Sequence, residues 1–255
     1  MRHLGILAHS TEGAALSFLT FCQEGVRRLG GHVYPDITLD YIAFGRSLPA
    51  WEAGDHAAVR ATLAVSAERL ARAGADFFVC PDNTAHLALD QPGDDLPLPG
   101  LHIAGVVADR AALEGLRRVG ILGTRFLTEA ALKEGALTEG AVYPRALGDR
   151  GIATEVPTAA DRELVHRVIM DELVNGVFTE ESRAAFVGVI ERLAARGCDA
   201  VALVCTEIPL LVTPKVSPLP VLDSTRLQAR AALATALGDE PLPTWRGGPV
   251  ATPAR

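Results

Sequence analysis

Two cysteines close apolar runs and are followed at once by polar residues. "FFVCPDNTAH" carries Cys80, and "VALVCTEI" carries Cys205. A thiol beside the N–H groups of a helix start can act as an acid or a base, because local positive charge favours the thiolate. Asn83 and Thr84 follow the first cysteine; Thr206 and Glu207 follow the second. Asn and Thr cap helix starts, and the donors there can hold a carboxylate. Two such thiols acting on opposite sides of one carbon would suit inversion of configuration. One thiolate removes a proton from a carbon next to a carboxylate, and the other thiol delivers a proton to the opposite face. The pair would titrate as a coupled unit. Oriented donors on the carboxylate would have to stabilise the developing charge. Glu207 is placed to tune Cys205 or to compensate the start of its helix, and His86 could orient the first site. Cys22 and Cys198 read as packed residues, in keeping with the usual burial of free cysteine.

Other chemistries are poorly served. Neither cysteine has a close Cys-x-x-Cys partner, so the sequence predicts no metal site. "GILGT" is too short to be a glycine-rich phosphate loop. The net charge of −7 and the absence of a basic stripe argue against nucleic acid or an anionic membrane as partner. No apolar run reaches the length that spans a bilayer. Four cysteines among 255 residues do not make a disulfide scaffold. A cytoplasmic protein acting on a small carboxylate is the expectation.

The elements that must position these residues alternate between short apolar runs and longer helical patterns, which argues for parallel α/β architecture. "HLGILA" reads as a buried strand and 13–29 as a helix. A strand is expected over 36–43, an amphipathic helix over 55–73, and a strand at "DFFVC". Beyond it, a helix starts at Thr84, "HIAGVV" (102–107) reads as a strand, and 110–118 as a helix before "RVGILGT". The order also repeats. "GILAHST" is echoed by "GILGT", and "AGADFFVC" by "RGCDAVALVC". A duplicated unit is therefore expected, with residues 1–104 and 209–240 in one domain, 105–208 in the other, and 241–255 as an irregular tail. The second copy has extra residues, "TRFLTEAALKEGAL", which suit either a helical lid or a longer helix start.

At "CPDNTAH" and "CTEI" the chain resembles the aspartate/glutamate racemase superfamily, the amino-acid racemases that use no pyridoxal phosphate. The resemblance extends over nearly the whole chain. It implies two pseudo-symmetric α/β domains with the active site in the cleft between them, commonly in a homodimer, and no cofactor. It implies Cys80 and Cys205 as the acid/base pair, with Asn83, Thr84, Thr206 and Glu207 around the substrate carboxylate. His9, Ser10 and Thr11 match the family's first strand-end segment, Thr124 closes the echoing strand of the second copy, and Arg46 falls where a distal carboxylate is held. Three departures stand out. The first motif has two residues between Cys80 and Asn83 instead of one. Asp82 beside the thiol opposes thiolate formation. Near Val174, where aspartate-specific members carry a lysine, the chain is apolar.

Alternatives within the superfamily are a maleate cis-trans isomerase and a hydantoin racemase; a one-cysteine decarboxylase fits less well with two thiols. From another class, a non-catalytic small-molecule binding protein could use the same duplicated scaffold.

Overall fold

The computed structural model describes residues 1–133, 136–137 and 141–249. The chain forms two compact units, Met1–Val106 with Thr225–Arg255, and Val107–Ser224. The first holds a parallel sheet of β1 (Leu4–Ala8), β2 (Ile37–Tyr41), β3 (Phe77–Val79) and β4 (Gly100–Leu101), in the order β2-β1-β3-β4. Strands β1 and β3 are apolar and buried throughout, as central strands of a parallel sheet are when both faces are covered. Helix α1 (Thr11–Leu29) links β1 to β2. A short 3-10 turn (Phe44–Arg46), α2 (Leu48–Glu52) and α3 (His56–Arg72) lead to β3, α4 (His86–Leu89) leads to β4, and α5 (Ile103–Leu113) follows.

The second unit repeats this wiring. Its sheet contains β5 (Arg118–Leu122), β8 (Ala153–Glu155), β9 (Ala200–Leu203) and β10 (Val221–Asp223), in the order β8-β5-β9-β10. Between them run α6 (Arg125–Ala130), α7 (Val142–Gly148), α8 (Ala159–Asp171), α9 (Glu180–Ala195) and α10 (Ile208–Leu211). A small antiparallel pair, β6 (Leu132–Lys133) with β7 (Ala136–Leu137), follows α6. Helix α11 (Ser224–Leu237) carries the chain back to the first unit, where Ala232, Leu233 and Ala236 pack with Leu4, Ile6 and Phe77.

The echo in the sequence is a structural repeat. In each sheet the first strand pairs in parallel with the third: Gly5 is in register with Phe78, and Gly120 with Val201. Both glycines lie under the helix that leads into the third strand, Gly5 under α3 and Gly120 under α9. A Cβ at Gly5 would meet Leu70 Cδ1 at 3.1 Å and Ala75 Cβ at 3.2 Å; one at Gly120 would meet Leu193 Cδ1 at 2.9 Å and Cys198 Sγ at 3.5 Å. Helices α3 and α9 end the same way. Gly74 and Gly197 take positive φ of 87° and 85°, the left-handed turn that glycine favours after a helix. Asp76 Oδ2 then accepts from His3 N at 2.7 Å, and Asp199 accepts from Arg117 N and Arg118 N at 2.7 and 3.0 Å.

Two expectations are corrected. "HIAGVV" is helical, as the start of α5, and the strand before it is only Gly100–Leu101. A six-residue apolar run has no period that separates a strand from a buried helix; here His102 Nδ1 accepts from Gly105 N at 3.3 Å and fixes a helix start. Residues 209–224 stay with the second unit, because β10 pairs with β9, so the return to the first unit begins at Thr225 and not near 209. The extra residues from Thr124 form a helix of six residues and the β6–β7 pair, with 134–135 outside the described residues. Residues 241–249 contain no helix or strand, while 250–255 lie outside the described residues.

The close approach at the paired glycines is testable. Gly120→Ala and Gly5→Ala should each lower stability by about 1–3 kcal/mol through overpacking, read from urea unfolding. Unchanged midpoints would show that these glycines do not set the spacing between strand and helix.

Candidate active site

Side chains alternate across a strand, so β3 sends Phe77 and Val79 to one face and Phe78 and Cys80 to the other. Phe77 and Val79 join the cluster of Phe21 and Ala232, whereas Phe78 and Cys80 join Val59, Leu63, Leu70 and Leu89 beneath α3. Cys80 is consequently a core residue with no exposed surface. Burial pushes its thiol well above the usual value, the negative charge of Asp82 pushes the same way, and a backbone N–H bond at Asp82 only partly offsets them. The sequence predicts this thiol beside a helix start; the structure places it in the core, where burial opposes the thiolate. Helix α4 begins at His86 and has only four residues, and its dipole is confined to that one turn.

The polar group at this strand end is Asp82. Its Oδ2 lies 2.7 Å from His9 Nδ1, and its Oδ1 accepts from Ala85 N at 3.1 Å. An ionised carboxylate only accepts, so His9 Nδ1 carries the hydrogen. Burial opposes ionisation of Asp82, but the hydrogen bond and charge of His9, helped by Ala85 N–H, hold its carboxyl below the ordinary aspartate value. His9 is 3% exposed at the end of β1. Its Nε2 is 3.1 Å from Ser47 Oγ and 3.4 Å from Trp51 Nε1, and its ring meets Phe44 edge-on at 5.1 Å.

The loop behind Asp82 is braced from within the first unit. His86 Nδ1 donates to Asp82 O at 2.9 Å, and Ile103 N donates to His86 Nε2 at 3.4 Å. The His86 ring stacks on Trp245 at 5.8 Å and meets His102 at 4.7 Å. Burial and the neighbouring His102 push His86 down to about 4, which leaves it neutral at neutral pH. Trp245 is anchored by its segment, since Gly100 N donates to Trp245 O at 2.7 Å and Gly248 N to Leu89 O at 2.8 Å.

The second unit presents Cys205 differently. It lies two residues beyond the end of β9, and its Sγ donates to Glu207 Oε2 at 2.8 Å. Thr206 Oγ1 donates to Glu207 Oε1 at 2.8 Å. Thr206 and Glu207 are each 5% exposed and Cys205 9%, so thiol, hydroxyl and carboxylate form one compact buried cluster. Thr124, at the end of β5, precedes α6, and its buried Oγ1 has no hydrogen-bond partner among the described residues. A buried hydroxyl without a protein partner carries a desolvation cost that a bound ligand would relieve.

The remaining residues singled out from the sequence fall in the first unit. Ser10 caps α1 by accepting from Gly13 N at 3.1 Å, and the exposed Thr11 bonds Tyr41 Oη through Oγ1 at 2.9 Å. Asn83 is buried at 2% exposure and Thr84 is half-buried. Arg46 is exposed in the 3-10 turn next to Ser47. Sequence reasoning gave Asp82 only a negative role and missed Ser47 and Trp51; nothing local in the sequence marks those two as neighbours of His9.

Two parallel sheets, with Asp82 and Cys205 beyond the carboxyl ends of their third strands, define an α/β protein of duplicated design. Comparison with known proteins identifies the family. Residues 10–232 match the model of the Asp/Glu/Hydantoin racemase family, to which this chain belongs. It is 22% identical over 191 residues to the broad specificity amino-acid racemase RacX of Bacillus subtilis (strain 168), covering 72% of this chain and 74% of that protein. A candidate Asp/Glu racemase from Yersinia pestis superposes with a TM-score of 0.79 at 31% identity, covering 93% of this chain and all (100%) of the other. An aspartate racemase homologue from Pyrococcus horikoshii OT3 shares the fold with a TM-score of 0.75 at 24% identity, over 93% of this chain and 100% of its own.

Burial of Cys80 makes a direct prediction. With iodoacetamide at mildly alkaline pH, Cys80 stays unlabelled in the folded protein and labels on unfolding in guanidinium, as read by peptide mass spectrometry. Ready labelling of Cys80 in the folded protein would contradict its place in the core.

Proposed function

We propose that this protein is an amino-acid racemase that inverts the α-carbon with protein acid/base groups and no pyridoxal phosphate. The observation that carries the reading is the buried Cys205–Thr206–Glu207 cluster at the end of β9, in a chain of the racemase family. Glu207 already accepts the thiol hydrogen, so a thiolate at Cys205 would form by transfer over a single short hydrogen bond. The thiol can give a proton to a carbanion or, once ionised, take one. Removal from one face and delivery to the other need a second acid/base group, which the reading draws from the first unit.

The substrate's α-carboxylate must be held by donors that stabilise charge as the α-hydrogen leaves. Asn83, Thr84, Thr124 and Thr206 supply amide and hydroxyl groups for that task. Ser10 and Thr11 are committed to α1 and Tyr41, and serve the reading as supports of the strand end that carries His9. Arg46 would meet a distal carboxylate, whereas Val174 supplies no cation. The reading therefore takes in amino acids with and without a second carboxylate, in line with the broad specificity stated for the relative in Bacillus subtilis. It carries with it a cytoplasmic setting that keeps Cys205 reduced and the homodimer that the family resemblance implies.

The test is exchange of the α-hydrogen with solvent deuterium. Each of a panel of L- and D-amino acids is incubated in deuterium oxide with reductant and no added cofactor, and followed by proton NMR and chiral chromatography. At least one pair should exchange and run to a racemic mixture from either side. Absence of exchange with every amino acid would rule the reading out; turnover of maleate without exchange would point to cis-trans isomerisation.

A further inference from the structure

We propose that Asp82, and not Cys80, is the acid/base group of the first unit, so that the protein works with a carboxylate and a thiol instead of two thiols. The inference deepens the racemase reading and rests on it. Its basis is the register of the repeat. Gly5 pairs with Phe78 and Gly120 with Val201, which makes Phe78 and Val201 equivalent positions. Counting forward by two from each gives Cys80 and Leu203; counting forward by four gives Asp82 and Cys205. The carboxylate of the first unit thus occupies the position that the second unit gives to its thiol.

Several neighbouring positions obey the same correspondence. Asp76 and Asp199 lie two residues before the paired positions and bond the backbone that leads into β1 and β5. Leu70 with Ala75, and Leu193 with Cys198, crowd the two equivalent glycines. Phe78 and Cys80 face the core under α3, and Val201 and Leu203 face the core under α9. Ala85 and Ile208, three residues beyond Asp82 and Cys205, are core residues of their respective clusters. Cys80 is therefore the counterpart of a packed leucine. The likeness between "VCPDNT" and "LVCTEI" is an accident of two cysteines in different registers.

The two equivalent groups also have complementary surroundings. Asp82 accepts from an imidazole and a backbone N–H, the environment of a carboxylate waiting to receive a proton. Cys205 donates to a carboxylate, the environment of a thiol that holds one. Racemisation needs one group empty and one loaded, and separated environments produce that state without a coupled pair of like groups. The proton balance closes. The α-hydrogen leaves as a proton to an Asp82 oxygen, its bonding pair stays on carbon and spreads into the substrate carboxylate, and the Sγ–H proton passes to the opposite face. The protein is left with a protonated Asp82 and a Cys205 thiolate, the form that runs the reverse reaction, and exchange with water restores the first form. His9 is a positioning residue that aims Asp82 and keeps it ionised.

The assignment is tested with Cys80→Ala, Asp82→Asn, Asp82→Cys and Cys205→Ala, each checked for fold by circular dichroism and assayed for inversion and for exchange in deuterium oxide. Cys80→Ala should invert close to the parent rate. Asp82→Asn and Cys205→Ala should lose inversion by about 10²–10⁴-fold, the usual worth of a general acid or base. Asp82→Asn should keep exchange with one enantiomer, supplied by Cys205 alone. Asp82→Cys returns a thiol to the equivalent position and should invert better than Asp82→Asn, a readout that a merely structural aspartate would not give. Loss of inversion in a folded Cys80→Ala, or undiminished inversion in both Asp82 variants, would overturn the assignment. A parent that exchanges no amino acid at all would remove the racemase reading itself, and the assignment with it.

Discussion

The pairing of the first strand with the third decides what each sheet presents at its carboxyl edge. Once Gly5 faces Phe78 and Gly120 faces Val201, the two-residue alternation of a strand fixes which later side chains enter the core and which leave it. Glycine suits both positions, because α3 packs over Gly5 and α9 over Gly120 so closely that an added Cβ would meet Leu70 at 3.1 Å or Leu193 at 2.9 Å. The consequence reaches the chemistry directly. Cys80 is drawn into the cluster under α3, and Asp82 and Cys205 take equivalent positions just past the ends of β3 and β9.

Around that constraint, the two strand ends have different electrostatic surroundings. The first unit surrounds Asp82 with His9 and Ala85 N–H, and both favour negative charge. His86, held neutral by burial and fixed by Ile103 N–H and Trp245, braces the turn without adding charge to it. The second unit sets a carboxylate against Cys205 and ties the other oxygen of that carboxylate to Thr206. One fold thereby sets an aspartate against an imidazole in one copy and a thiol against a carboxylate in the other, and the difference lies in a few residues after β3 and β9.

Much of this was legible in the sequence. Helices with long apolar periods, such as 13–29 and 55–73, appear in the structure within two residues of their expected limits as α1 and α3. The repeat, the parallel sheets and the family were visible in "GILAHST", "GILGT", "CPDNTAH" and "CTEI". What misled was local likeness. A cysteine followed by polar residues looks exposed, yet exposure depends on strand register, which belongs to long-range pairing. One signal was present: Cys80 follows the Gly-x-Asp aspartate by four residues and Cys205 by six, so the two thiols are not equivalent. The run at 102–107 was misread for a different reason, since a short apolar run suits a strand or a buried helix equally and His102 decides it through a bond to Gly105 N.

The central claim is that the register of the repeat, and not the likeness of two cysteine motifs, selects the reacting groups. A crystal structure with a bound amino acid or an inert carboxylate analogue tests it most directly, by which side chains flank the α-carbon. The account predicts an Asp82 carboxylate oxygen and Cys205 Sγ on opposite sides of that carbon, each at about 3–3.5 Å, the distance of a near-attack arrangement. A complex in which Cys80 Sγ flanks the carbon and Asp82 stays turned to His9 would contradict it.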